Sequence, residues 1–330
     1  MYVRSGAPRI SVVSAIAGSV CRSPPTITHA RWSRGIAERY AARVSRAGCR
    51  FVANRGAVVG ALLVIGVLGI ALIAPAVSAR DPLIGDVDHG LSELGAPLPP
   101  SRDAVLGTDE LGRDVWARVA SGARISLAIA VLATAIALVI GVAIGLTAGY
   151  AGGAADSALM RLVDLVLAFP VLLLAILLAA LFREARLASS VAPVFVTLGL
   201  VSWTTMARVI RGRTQVLARS EMVVAARALG ASPARILIRH ILPNLGGVVI
   251  VVTAFGFAQN LLSESVLSFV GLGPPPPTAS WGRMLYEGRA YYRIAPHLVL
   301  APGVAIVLAV VGFNLLGDGL RDALDAREAR

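Results

Sequence analysis

The sequence is short of charge and contains no lysine. Only 15% of its 330 residues are charged and 56% are hydrophobic, whereas soluble domains are about 25% charged. All 31 basic residues are Arg. We attribute this to the nucleotide composition of the source genome, because membrane topology needs positive charge from either basic residue. The composition argues against a soluble globular domain and favours an integral membrane protein.

Cysteine and the usual signatures of chemistry are scarce as well. The two cysteines, Cys21 and Cys49, are too few for a disulfide framework, and no C-x-x-C or Cys/His cluster predicts a metal site. Without a Walker A motif, a G-x-S-x-G or an obvious pair of carboxylates, we predict no catalytic residue, no bound cofactor and no enzyme. The net charge is +12, and the basic residues lie in short stretches between apolar runs. This pattern indicates lipid rather than nucleic acid as the partner.

Six apolar runs have the length of about 20 residues that a transmembrane helix needs. They lie at 56–78, 125–150, 159–182, 188–207, 245–270 and 296–316. The fourth run is the weakest, because Pro193 and the polar residues 202–205 dilute it. We predict an all-α polytopic membrane protein with six transmembrane helices.

The arginines predict the orientation of these helices. Lys and Arg concentrate on the cytoplasmic side of membrane proteins, and 21 of the 31 Arg lie in segments 1–55, 151–161, 208–244 and 317–330. We therefore predict that both termini are cytoplasmic. The chain then divides into a partly disordered Arg-rich tail at 1–55, a first span at 56–79, an extracytoplasmic loop at 80–123, a core of five spans at 124–318 and a cytoplasmic tail at 319–330.

Residues 1–30 loosely resemble a signal peptide, with a charged start and a short apolar stretch. That stretch contains Ser and Gly and precedes the Arg-rich segment 31–55, whose charge favours the inside. We favour a disordered leader, or a start site assigned too far upstream.

The sequence LGTDELGRDVWARVASGARISL, residues 106–127, predicts a short amphipathic helix at the outer surface. Thr108 is expected to cap its start, with Asp109 and Glu110 in the first turn, where the helix dipole favours acids. Trp116 is expected at the level of the lipid headgroups.

Three glycines in the second apolar run, Gly141, Gly145 and Gly149, form a doubled G-x-x-x-G. Small residues four apart leave a smooth stripe on which another helix packs closely. The motif is common in membrane helices, so we predict packing there and no chemistry.

Residues 219–243 are too polar to cross a bilayer and too regularly patterned for a loop. Helical spacing over 219–230 places on one face Met222, Val223, Ala225, Ala226 and Leu229. Gly230 is expected to end this helix in the left-handed conformation. Ser232 and Pro233 then fit the N-cap and the first position of a second helix.

The second helix carries Ile236, Leu237, His240 and Ile241 on one face and is expected to stop at Pro243. We predict a cytoplasmic helical hairpin over 219–243. It lies on phospholipid headgroups, binds DNA as a helix-turn-helix, or docks on a soluble protein. Attachment to the membrane at both ends argues against DNA.

The hairpin resembles the coupling loop of ABC importer permeases, whose pattern is E-A-A, three residues, G, nine residues and I-x-L-P. The matching positions are Ala225, Ala226, Gly230, Leu242 and Pro243. Val224 replaces the Glu of the pattern, and His240 replaces the Ile. The resemblance implies that the hairpin, with Ser232 and Pro233 at its turn, inserts into an ATPase subunit and transmits ATP-driven closure to the membrane helices.

Four further stretches resemble one branch of that family, the second permease of dipeptide, oligopeptide and nickel importers. They are residues 106–127, GYAGGAADSALMRLVD, LSFVGLGPPPPTASWGRML and FNLLGDGLRDALD. The resemblance implies a type I ABC importer permease fold in the bacterial inner membrane. It implies as partners a related second permease, two ATPases that use ATP and Mg, and an extracytoplasmic solute-binding protein. The implied cargo is a small solute such as a peptide, a nickel complex or glutathione.

Polar residues inside the predicted spans are the candidates for a solute pathway. Intramembrane polar groups are costly and functional by default, so we select Gln259, Asn260, Glu264 and Asn314. Hydrogen bonding between helices is the alternative role, and for Asp164 we expect a structural pair with Arg161. A stand-alone secondary transporter or channel, and a non-transporting scaffold, are the rival functions. The first lacks a convincing pair of inverted repeats.

Overall fold

The computed structural model describes residues 48–77, 81–182 and 191–324, with side chains up to residue 73 in the first range. The predicted leader, most of the N-terminal tail and residues 325–330 lie outside the described residues. The named helices are α1 Arg55–Val77, α2 Val87–Gly90, α3 Val115–Ala151, α4 Gly153–Leu167, α5 Val171–Phe182, α6 Ala192–Ala218, α7 Glu221–Ala228, α8 Pro233–Ile236, α9 Gly246–Phe269, α10 Trp281–Gly288 and α11 His297–Leu324. A π turn, Leu237–Ile241, and a 3₁₀ turn, Leu242–Leu245, join α8 to α9.

Five helical segments are long and apolar enough to span a bilayer: α1, α3, α6, Pro233–Phe269 and α11. Together, α4 and α5 pass the same test but are bent by 83°. The break falls at Pro170, whose ring removes the N–H that a continuous helix would use. The predicted span at 159–182 therefore corresponds to a bent pair of helices. An all-helical, multi-pass architecture is confirmed over the described residues, while the cytoplasmic position of the termini stays a prediction.

The stripe of three glycines on α3 packs directly against α6, as predicted. A Cβ added to Gly145 would lie 2.7 Å from the carbonyl oxygen of Ala207 and 2.8 Å from the Cβ of Ile210. Gly141 and Gly149 are crowded by α6 at similar distances. Because α3 contributes no side chain there, the two helices approach closely and van der Waals contact holds the pair together.

Acidic residues of α4 attach it to α6. Asp156 accepts hydrogen bonds from Nε and Nη2 of Arg211, the latter at 2.6 Å. Asp164 accepts from Nη2 of Arg208 at 2.6 Å, so the predicted pairing of Asp164 with Arg161 is wrong. These ion pairs explain why α6 runs to residue 218, beyond the predicted end at 207, since its basic side chains have partners on α4.

The predicted interfacial helix is instead the first part of α3, which continues for 37 residues. Its cap is Asp114, whose side chain accepts from the backbone N–H of Trp116 at 2.8 Å and of Ala117 at 3.3 Å. The predicted cap at Thr108 is wrong, because Thr108 lies in an extended bridge with Asp114. Gly112, at φ 71°, turns the chain between them and prevents a helix from starting earlier.

A buried ion cluster joins the outer loop to α3 and α10. The carboxylate of Asp109, 2% exposed, accepts from Nε of Arg113 at 2.7 Å and from Nη1 of Arg118. Arg118 also donates to Oε2 of Glu287 on α10 at 2.8 Å. Burial raises the pKa of the neighbouring Glu110 carboxyl. The cluster fixes the outer loop on the helical core, since removing one partner of a buried pair costs about 3–5 kcal/mol.

Candidate functional site

The turn of the hairpin is fixed by backbone geometry. After α7, Gly230 takes φ 77°, and its N–H donates to the carbonyl oxygen of Arg227 at 2.9 Å. The N–H of Ala231 donates to the carbonyl oxygen of Ala226 at 3.0 Å. This pair of bonds is the Schellman ending of a helix, and it confirms the predicted left-handed glycine.

The second arm starts as expected and ends differently. Ser232 caps α8 by accepting from the N–H of Arg235 at 3.4 Å, and Pro233 is the first helical residue. The predicted stop at Pro243 is wrong. Pro243 lies at the start of the 3₁₀ turn, where its missing N–H is not required, and the chain continues into α9. Residues 233–269 therefore form one continuous helical segment.

The inner face of the hairpin packs on the C-terminal half of α6. Val223 and Ala226 of α7 join Ile236 and Ile241 of the second arm in a buried cluster with Ile210. The predicted single apolar face of the first helix is only partly present, because Met222, Ala225 and Leu229 point away from this cluster. The eight residues of α7 make about two helical turns. Most of them are apolar, so apolar side chains occupy both sides of the helix.

The outer surface of the hairpin carries exposed apolar side chains beside charged ones such as Arg235 and Arg239. Leu229, next to Gly230 at the tip, is 88% exposed, and Val224 and Ile238 are also exposed. Among the other coupling candidates, His240 is half-buried in the π turn, Leu242 is half-buried and Pro243 is exposed. Contiguous exposed apolar surface marks interaction sites.

A cavity of about 780 Å³ lies between α5, α6, α9 and α11. It brings together three of the four predicted pathway residues: Gln259, Asn260 and Asn314. Asn260 is buried, and its Nδ2 donates to Oγ1 of Thr134 on α3 at 2.9 Å. Asn260 therefore joins two helices in addition to bordering the cavity.

Glu264 does not line this cavity. Its side chain is fully buried among serines, with Oε1 accepting from Ser268 Oγ at 2.7 Å. Ser126 of α3 and Ser280, at the start of α10, also hydrogen-bond the carboxylate. Glu264 thus belongs to a hydrogen-bonded junction of α3, α9 and α10. Hydrogen bonding between helices was the alternative role that the sequence left open, and we remove Glu264 from the set of pathway residues.

Among the polar cavity residues that sequence reasoning missed are Thr205 on α6 and Ser263 on α9. The signal was present, because Ser263 follows Gln259 by one helical turn and Thr205 belongs to the polar stretch that weakens the fourth apolar run. We call the polar strip the set of cavity side chains that form no hydrogen bond within the described residues: Thr205, Gln259, Ser263 and Asn314. An unpaired amide or hydroxyl facing hydrocarbon costs about 4–8 kcal/mol, which favours water or a solute in front of the strip.

Comparisons with known proteins agree with this geometry. The family described as "Binding-protein-dependent transport system inner membrane component" matches residues 141–330. The chain is 41% identical over 281 residues to the oligopeptide transport system permease protein OppC of Escherichia coli (strain K12), covering 84% of this chain and 89% of that protein. It is 46% identical over 265 residues to the glutathione transport system permease protein GsiD of Salmonella typhi, covering 80% and 86%.

A solved structure shares the fold. It is titled "Inward facing conformations of the MetNI methionine ABC transporter: CY5 native crystal form", with TM-score 0.52 and 18% identity over 62% of this chain and 95% of that chain. The helical spans, the hairpin and the cavity define the class, a multi-pass permease of the inner membrane. The chain belongs to the family of binding-protein-dependent transport system inner membrane components.

Proposed function

We propose that this chain is one of two permease subunits of an ABC importer for short peptides or a similar small solute such as glutathione. Its relatives are named as oligopeptide and glutathione transport permeases. Two ATPases use ATP and Mg, and a solute-binding protein delivers cargo from outside. The chain itself binds no nucleotide and catalyses no reaction; it forms part of the wall of the pathway.

The observation that carries the proposal is the mechanical continuity between hairpin and cavity. The second arm of the hairpin runs without interruption into α9, which carries Gln259 and Ser263. On α6, Val209 lines the cavity and the next residue, Ile210, packs in the buried cluster of the hairpin. A displacement of the hairpin is therefore passed to both helices, because packed interiors transmit displacement rather than absorb it.

The exposed tip of the hairpin supplies the docking contact with the ATPase. Burial of one leucine side chain contributes about 1.5–3 kcal/mol, so Leu229 alone accounts for a tenfold or larger part of the association constant. Arg227 supports the tip from behind, with its guanidinium 4.9 Å from the centre of the Tyr150 ring at the end of α3. The contact of Arg227 with Tyr150 thus attaches the tip to the end of α3.

The test is Leu229→Asp, with Leu94→Asp as the matched control. Both leucines are almost fully exposed, at 88% and 96%, but Leu94 lies in the extracytoplasmic loop. We expect Leu229→Asp to weaken association of the ATPases by tenfold or more and to abolish ATP-dependent uptake, while Leu94→Asp retains ATPase binding. Equal ATPase binding by the two variants would refute the docking role.

The rival interpretation is a transporter that works alone. It predicts solute uptake into vesicles that contain this chain without ATP or ATPases. Family membership argues against it, and ATP-independent uptake by the purified chain would establish it.

A further inference from the structure

The polar strip offers hydrogen-bonding groups that have no partner within the described residues. Its side chains come from three helices, α6, α9 and α11, and Gln259 and Ser263 stand one turn apart on α9. The three other polar residues of the cavity differ, since Ser202 Oγ donates to the carbonyl oxygen of Leu198 at 2.7 Å, Thr204 Oγ1 donates to that of Val201 at 3.4 Å, and Asn260 is bonded to α3. The strip is therefore available to a molecule in the cavity.

The side chains of the polar strip are uncharged and can act as both donors and acceptors of hydrogen bonds. Carboxamides and hydroxyls both donate and accept hydrogen bonds. The same group thus accepts from an ammonium, donates to a carboxylate, and does both with a peptide amide. A Lys, Arg, Asp or Glu in its place would attract one sign of charge and repel the other. Every described residue that lines the cavity is uncharged.

We infer that the polar strip is the specificity-determining part of the pathway wall in this chain. It recognises amide groups and passes short peptides of either side-chain charge on nearly equal terms. This inference rests on the proposed function, because it requires that the cavity be part of the pathway. It goes further by assigning charge tolerance to four named side chains.

The experiment uses the complete transporter in proteoliposomes, with the binding protein saturated by each cargo in turn. The cargos are three tripeptides of similar size, Ala-Ala-Ala, Ala-Lys-Ala and Ala-Glu-Ala. We expect the native protein to import them within about twofold of one another. Gln259→Glu is expected to favour the lysine peptide over the glutamate peptide by about tenfold, and Gln259→Arg to reverse the preference, since unit charges about 10 Å apart interact appreciably at an effective dielectric of about 20.

Gln259→Met is the matched control, because it keeps the size of the side chain and adds no charge. It should lower the import of all three peptides alike. Preference is measured as a ratio within one variant, so a loss of folded protein cancels. Ser263→Asp provides a second site for the negative charge and should reproduce the preference of Gln259→Glu.

The outcomes separate the inference from the proposed function. ATP-dependent import of Ala-Ala-Ala by the native protein supports the proposed function alone. If the charged variants then show native ratios, the assignment to the strip is overturned while the importer stands. A native transporter that imports none of the three peptides with ATP overturns the inference, and it overturns the proposed function as well if glutathione is not imported either.

Discussion

Gly230→Asn is the sharpest test of the hairpin tip. Gly230 has φ 77°, and a Cβ placed there meets no atom of the described chain within 4 Å. The substitution therefore costs only backbone strain, about 1 kcal/mol in the left-handed region, where Asn is among the better tolerated residues. That cost should lower the thermal midpoint of the purified chain by about 2–4 °C.

If the hairpin docks in an ATPase, the surface of the ATPase occupies the open space next to Gly230. An asparagine side chain then collides with the partner surface, and overpacking of a fitted interface costs about 1–3 kcal/mol. We expect the affinity for the ATPase subunits, measured by titration of the reconstituted permease, to fall about tenfold or more.

The control is Gly95→Asn in the loop that is predicted to be extracytoplasmic. Gly95 has φ 73° and is equally free of neighbours within 4 Å, so the backbone strain is matched and only the location differs. It should reproduce the small thermal shift and leave ATPase affinity unchanged. If Gly230→Asn binds ATPase as tightly as Gly95→Asn does, the tip lies outside the interface.

Three further substitutions test the fold. Gly145→Ala should destabilise the α3–α6 pair by about 1–3 kcal/mol. The control is Gly212→Ala, whose Cβ meets nothing within 4 Å and which should be neutral or slightly stabilising. Equal stability of the two variants against unfolding in detergent would contradict the packing. Asp109→Asn should cost up to about 3–5 kcal/mol because it removes the carboxylate that Arg113 and Arg118 share and leaves them only Glu110 and Glu287 as partners, while Asp103→Asn, on the exposed loop, should stay within about 0.5 kcal/mol. Glu264→Gln keeps the shape of the serine-lined junction and should preserve uptake, and loss of uptake in a folded variant would return Glu264 to the pathway.

Local chemistry made much of the hairpin predictable. The glycine turn, the Ser232 cap and the position of Pro233 follow from backbone conformation and hydrogen bonding within a few residues. The glycine stripe was predictable for the same reason, since close packing requires small residues wherever the partner helix lies. The roles of these residues in coupling remain predictions.

Contacts between residues far apart in the sequence determine the features that the sequence patterns did not predict. The extension of α6 depends on Asp156 and Asp164, which lie about 50 residues upstream in the sequence and meet it only in the fold. Glu264 looked like a pathway residue because an acid in a span is costly, but four serines from three segments satisfy it. The true start of α3 depends on the turn at Gly112, which helix propensity alone does not reveal.

We expect this chain to work only as the membrane half of an ATP-driven complex. The most direct measurement is purification at native expression level in mild detergent, with identification of the co-purifying chains by mass and an assay of ATP-dependent peptide uptake after reconstitution. We predict a second, related permease and two ATPase subunits, with uptake that stops without ATP. A chain that purifies alone and still moves solute without ATP would contradict the account.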